Sequence, residues 1–295
     1  MNISNKTKGI VCIIISSLSF GVMNIFIRLS GDLPSIQKSF FRNSVALLFS
    51  LCFIVKDKVP LRIIPGTLRY LLIRAVCGTF AILANFYAVD HLVLADASML
   101  NKMSPFFAVI FSCLLLKEKV SFLQGGSVVL AFLGSMLVVK PTFSNLDIGA
   151  SLFGLAGGML AGLAYTTVRV MGHKGVKGSF IVGFFSLFST LVALPFFVLD
   201  YHPMSGRQLL YLIFAGAFAA SGQFGITAAY SYAPAREISV YDYSQILFSA
   251  IIGFFFFNQK PDIYSWVGYF VICSTAVGMF VYDNRKIQQN HYESL

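Results

Sequence analysis

The sequence predicts an all-α membrane protein, ten transmembrane helices arranged as two inverted five-helix repeats. Three observations predict it. Hydrophobic residues make up 57% of the 295 residues and charged residues only 12%. Apolar stretches of about 20 residues, the length a helix needs to cross a bilayer, recur along the chain with short polar breaks. One constant shift of 141 residues brings the two halves into register.

The mean hydropathy of +0.78 does not describe a water-soluble surface. Spans are predicted at 8–29, 35–55, 68–89, 92–116, 121–140, 149–171, 179–199, 207–230, 234–257 and 262–282. A transmembrane barrel would need polar alternation within the spans, and they have little. The first span resembles a signal peptide but runs too long and has no small-residue cleavage site before Arg28, so it is expected to be retained as a helix.

The net charge of +10 acquires its meaning from where the cations sit. With a cytoplasmic N-terminus, the inner segments carry Lys6, Lys8, Lys56, Lys58, Arg62, Arg69, Lys117, Lys119, Lys174, Lys177, Arg236, Arg285 and Lys286. The outer loops carry only Lys38, Lys140, Arg207 and Lys260. That asymmetry follows the positive-inside rule and predicts both termini in the cytoplasm at the cell membrane. The basic balance is therefore orientation and not a nucleic-acid footprint. The five cysteines all fall within spans and have no paired spacing, so neither a disulfide framework nor a metal site is expected.

Under the shift of 141, Gly21 meets Gly162, Arg28 meets Arg169, Asp96 meets Glu237, Ser98 meets Ser239, Phe107 meets Phe248 and Lys119 meets Lys260. Residues 1–141 are read as the first repeat and 142–295 as the second. Five spans per repeat is an odd number, so the second copy enters the membrane from the opposite side and relates to the first by a pseudo-twofold axis in the membrane plane. Inverted repeats suit alternating access, because the two halves can exchange conformations around a midplane site.

Several short motifs carry a family resemblance. They are Phe86-Tyr87-Ala88-Val89, Leu94-Ala95-Asp96-Ala97, Ser104-Pro105-Phe106-Phe107 and Leu116-Lys117-Glu118-Lys119, with Gly134 in the fifth span. In these the chain resembles the EamA group of the drug/metabolite transporter superfamily, over both halves. The second copy departs from the pattern at Ile246, where Pro105 would be matched, and at Gln259, where Glu118 would be. The resemblance implies a ten-helix carrier whose third, fourth, eighth and ninth spans line a central cavity. It does not imply one substrate, since members move amino acids, nucleotide-like metabolites and other small polar solutes.

An ionisable residue near the bilayer centre costs at least about 2.5–3.5 kcal/mol, so each one needs a partner, a wet cavity or a purpose. Lys102 lies about 15 Å into span 4 from its outer end, and Asp242 about 12 Å into span 9 from its inner end, which puts them at similar depth. Ser98, Asn101, Lys102 and Pro105 form a polar stripe on span 4, and Ser239, Asp242, Gln245 and Ser249 form one on span 9. A substrate cavity is expected from Ser98, Asn101, Lys102, Ser239, Tyr241, Asp242 and Gln245, with Arg74 of span 3. The competing reading is a Lys102–Asp242 pair that only joins two helices.

Arg42, Arg28 and Arg169 are read as anchor or gate residues, with Arg42 within snorkelling reach of an interface. Tyr165 joins them as a gate candidate; Tyr230 and Tyr243 lie near the expected cavity. Asp96 and Glu237 stand at matched span starts, where acids favour the positive end of the helix dipole. Gly154, Gly158 and Gly162 form a small-residue stripe that permits close helix approach.

No phosphate-binding glycine-rich loop and no His-Glu-x-x-His motif occurs, so no cofactor is expected and transport is expected to be secondary. The function expected is alternating-access transport of a small polar or zwitterionic metabolite, an amino acid or a relative. An intramembrane enzyme or a channel is the alternative. The expected partners are the small-molecule substrate and the lipid bilayer, and the glycine stripe is compatible with a homodimer.

Overall fold

The computed structural model describes residues 4–92, 94–140, 147–257 and 261–292. The side chain of Asp96, with Gln259 and Lys260, lies outside the described residues, so its expected capping role has no geometry. The helices are α1 (Asn5–Leu29), α2 (Ser35–Lys56), α3 (Leu68–His91), α4 (Leu94–Asn101), α5 (Ser104–Leu116), α6 (Phe122–Val139), α7 (Ile148–His173), α8 (Gly178–Leu199), α9 (Gly206–Tyr232), α10 (Ala235–Ile238), α11 (Ser244–Phe257) and α12 (Ile263–Tyr292). A 3-10 segment, Ser239–Tyr243, joins α10 to α11. Among the described residues ten spans are long and apolar enough to cross a membrane.

The sequence expected spans 4 and 9 to be continuous, and they are not. Span 4 breaks between α4 and α5 at Lys102-Met103, and span 9 tightens into the 3-10 segment at the equivalent place in the repeat. The first break has a local cause. Pro105 sits in the first turn of α5, has no N–H to offer the carbonyl of Asn101, and its ring would clash with that carbonyl in a continuous helix. The second repeat has Ile246 there, and its chain deforms more gently.

Helix starts follow capping chemistry. Ser121 with Gln124 and Ser205 with Gln208 each close a capping box at the starts of α6 and α9. Asp147 caps α7 through the amide of Ala150.

Packing exchanges under the repeat. The α1–α9 interface has its counterpart in α7–α3, and α5–α7 has its counterpart in α11–α1. Spans 2 and 7 pack on each other, as do spans 5 and 10, so each of these pairs straddles the pseudo-twofold axis. Burial is concentrated on one face of each span. The other faces carry exposed Phe255, Phe256, Trp266 and Phe270, the surface of a protein whose solvent is hydrocarbon.

The glycine stripe of α7 packs on the broken span. A Cβ on Gly158 would meet the carbonyl oxygen of Leu100 at 2.6 Å, and one on Gly162 would meet the amide of Ala108 at 2.7 Å. Both obstacles are backbone, so only glycine lets α7 lie this close to the turn at Lys102.

Candidate functional site

The two breaks face each other. At the first, the Lys102 Nζ donates to Gln245 Oε1 at 2.6 Å and lies 3.7 Å from Asp242 Oδ2. The ion pair expected from sequence is present, and its shorter polar contact is to the neighbouring amide. Lys102 and Asp242 have side chains only 12% and 7% exposed, so this is an intramembrane charge cluster.

Breaking a helix inside a membrane frees carbonyls that must find donors, since no lipid group can satisfy them. Two hydroxyls do so here. Tyr243 donates its hydroxyl to the Lys102 carbonyl at 3.1 Å, and Ser17 of α1 donates to the Asp242 carbonyl at 3.4 Å. Lys102 and Tyr243 are related by the shift of 141. A residue that touches its own repeat mate lies beside the axis that relates the two repeats, so the charge cluster sits there too.

Ser98 and Asn101 are half-buried along α4 on the approach to the break. Ser239 is fully buried, and its hydroxyl lies 3.3 Å from that of Tyr230 on α9. Tyr230 in turn stacks on Tyr165 of α7, with ring centroids 5.1 Å apart. Tyr241, expected in the cavity, is 5% exposed and lies in the same buried cluster as Tyr230, Tyr243, Ile238 and Val240.

Arg74 is 2% exposed and donates from Nη2 to Gln223 Oε1 of α9 at 2.9 Å. Its guanidinium lies over the ring of Phe185 on α8, 4.1 Å from the centroid. Gly78, one turn along α3, makes the space: a Cβ there would meet the Arg74 guanidinium and would stand 2.7 Å from the Phe185 ring.

Arg42 does not snorkel. It is 9% exposed, and among the described residues its Nη1 donates to Asn43 Oδ1 at 3.4 Å and to no helix-end carbonyl. Helix α2 packs along α8 and α9, which holds this part of the span against protein. The phenol of Tyr165 interacts electrostatically with Asp242, Arg74 and Arg42, which joins the arginines to the central cluster. Tyr165, read from sequence as a gate candidate, stacks on Tyr230 beside the 3-10 segment.

Arg169, near the end of α7, pairs with Glu118 at 3.5 Å and donates to the Ser231 carbonyl at 3.1 Å. Glu118 also accepts from the hydroxyl of Ser112. Arg169 therefore ties spans 4, 6 and 8 together at one mouth of the bundle. Its repeat mate Arg28 is exposed on the last turn of α1. Glu237 lies in the first turn of α10, 3.8 Å from Arg236, which matches the expected placement of an acid at a helix start.

Sequence reading missed Gln223, Ser17, Phe185 and Gly78. Gln223 was detectable as a lone amide deep within span 8. The other three are serine, phenylalanine and glycine among many, and carry no signal until the neighbouring helices are placed.

The sequence model of the EamA-like transporter family matches residues 7–140 and again 148–281. The chain belongs to the EamA-like transporter family. The two matches begin and end at the same offset of 141 residues. Relatives within the full-length range include the pseudopaline exporter CntI of Pseudomonas aeruginosa, 30% identical over 275 residues, covering 92% of this chain and 95% of that protein. Human solute carrier family 35 member G1 is 25% identical over 284 residues, covering 92% and 78%. A riboflavin transporter of Rhizobium johnstonii is 23% identical over 288 residues, covering 96% and 94%. A crystal structure sharing 12% identity superposes with a TM-score of 0.83 over 93% of this chain and 98% of that one, so the two share a fold. This EamA-family chain is a multi-pass membrane transporter.

Proposed function

We propose that this transporter is a secondary carrier of a small polar metabolite, an amino acid or a related compound, which works by alternating access of its two repeats. In this reading Lys102, Asp242 and Gln245 bind the solute, with Ser98, Asn101, Ser239 and Arg74 around them, and the Arg169–Glu118 pair closes one mouth. The observation that carries it is the contact of Tyr243 with its repeat mate Lys102, because it puts a charged cluster and two helix breaks on the axis about which the repeats would exchange. Relatives named for export of pseudopaline and transport of riboflavin fit a carrier of small organic solutes. The distribution of Lys and Arg favours the cell membrane with both termini cytoplasmic.

Counterflow in proteoliposomes tests the reading. Vesicles preloaded with single members of a panel of amino acids and related metabolites are scored for saturable uptake of the labelled form. Saturable counterflow, lost in Lys102→Ala and Asp242→Ala, is the expected result. Flux without saturation or counterflow would indicate a channel, and turnover of solute by detergent-solubilised protein would indicate an enzyme.

A further inference from the structure

We infer that the transported solute carries a net negative charge, with more than one carboxylate or comparable anion, and that Arg42 and Arg74 form the subsite for the excess anion. The inference rests on the carrier reading above and names the chemistry of its substrate.

Among the described residues the charges of the central region do not balance. Lys102 and Asp242 offset each other across 3.7 Å. Arg42 and Arg74 remain, both more than nine-tenths buried, and the ion pairs among the described residues include neither. Their polar contacts are neutral: Asn43 for Arg42, Gln223 for Arg74, and the Phe185 ring beneath the Arg74 guanidinium. The Nε of each is buried with no hydrogen-bond partner. A guanidinium does not shed its proton at physiological pH, so two cations with unspent donors stand in low dielectric.

The fold does not require them. The shift of 141 places Gly183 where Arg42 is and Ala215 where Arg74 is, and both of those positions are buried among helices. The second repeat thus builds the same architecture with small apolar residues at these sites. Asn43, the hydrogen-bond partner of Arg42, lines a small, mainly apolar cleft with Ser39, Thr79, Ile82, Ser189 and Val192. Planar, bidentate carboxylate recognition is what a guanidinium group does well. An amino-carboxylate with two or more carboxylates would complete the site, its ammonium toward Asp242 and its carboxylates toward Lys102 and the arginines.

The test measures binding apart from flux. Purified protein in detergent is melted with L-glutamate, succinate, tricarballylate, L-glutamine and L-lysine at constant ionic strength, and the same compounds are run in counterflow. Stabilisation and uptake are expected with the net anions and not with L-glutamine or L-lysine. Arg74→Gln and Arg42→Gln should each weaken the half-saturating anion concentration by about ten- to a hundredfold, while Arg74→Lys retains part of the preference. If the glutamine variants do not fold, the wild-type preference among the five probes decides alone. Equal or better response to L-glutamine or L-lysine, absence of response to every anion, or unchanged anion preference in folded glutamine variants would overturn the inference. Anion binding without counterflow would leave the subsite standing and remove the carrier reading. Counterflow confined to neutral or cationic solutes would do the reverse.

Discussion

Tyr243 donates its hydroxyl to the backbone carbonyl of Lys102, the residue that the internal repeat makes its counterpart. This contact does two jobs, since it satisfies a carbonyl freed by a helix break and fixes the two broken spans to each other at the axis. Tyr243→Phe keeps the ring and removes the donor. It should lower the stability of the detergent-solubilised protein by about 1–3 kcal/mol, the cost of an unsatisfied buried acceptor, measured by thermal unfolding.

Lys102 and Asp242 should be strongly coupled. Removing either partner leaves a buried charge, which typically costs about 3–5 kcal/mol, whereas removing both leaves none. The double variant is expected to be destabilised by less than the sum of the losses in Lys102→Ala and Asp242→Ala. A double-mutant cycle by thermal unfolding reads the coupling, and additivity would show that Gln245 alone satisfies Lys102.

The α7 stripe should tolerate no methyl. Gly158→Ala would drive a Cβ toward the Leu100 carbonyl, now 2.6 Å from its ideal position, and backbone cannot turn aside as a side chain can. A loss of about 1–3 kcal/mol is expected, as for overpacking. Gly126→Ala on α6 is the control, because nothing lies within 4 Å of its Cβ position and alanine favours helix. Unfolding curves of the two variants should differ in direction.

Loss of the Arg169–Glu118 pair should open one mouth of the bundle. In a background without the five native cysteines, a thiol introduced by Ser231→Cys should react faster with a membrane-impermeant maleimide when Glu118→Gln is added. Unchanged labelling would mean that the backbone contact to residue 231 closes this end by itself.

Lys140 and Asp262 link the end of α6 to the start of α12 at 2.5 Å. The Lys140 ammonium, then the amide and hydroxyl of Ser265, hold the Asp262 carboxyl down to about 2. An aspartate in the unfolded chain titrates near about 3.9. The folded value is the lower one, so this contribution is fully present above that unfolded value and is lost as pH falls toward about 2. Asp262→Asn should therefore be less stable than wild type at about pH 6, with the difference shrinking to nothing near about pH 2. Unfolding across that range checks the window.

Much of this molecule is legible along the chain because hydrocarbon solvent imposes simple rules. Span number follows from apolar length, and the inverted relation follows from the 141-residue shift with five spans per copy. The Lys102–Asp242 pairing was also legible, since two expensive charges at equal depth seek each other. Arg42 was misjudged as an anchor because depth along a helix says nothing about which way the helix faces.

The sequence by itself determined the ten spans, the duplication and the family, all properties of local hydrophobicity and repeated pattern. Only the tertiary structure decided that spans 4 and 9 are broken, and that Gln223, Phe185 and Gly78 make the seat of Arg74. These depend on contacts between residues more than a hundred positions apart, where the donor for a freed carbonyl or the room for a guanidinium is supplied by another helix.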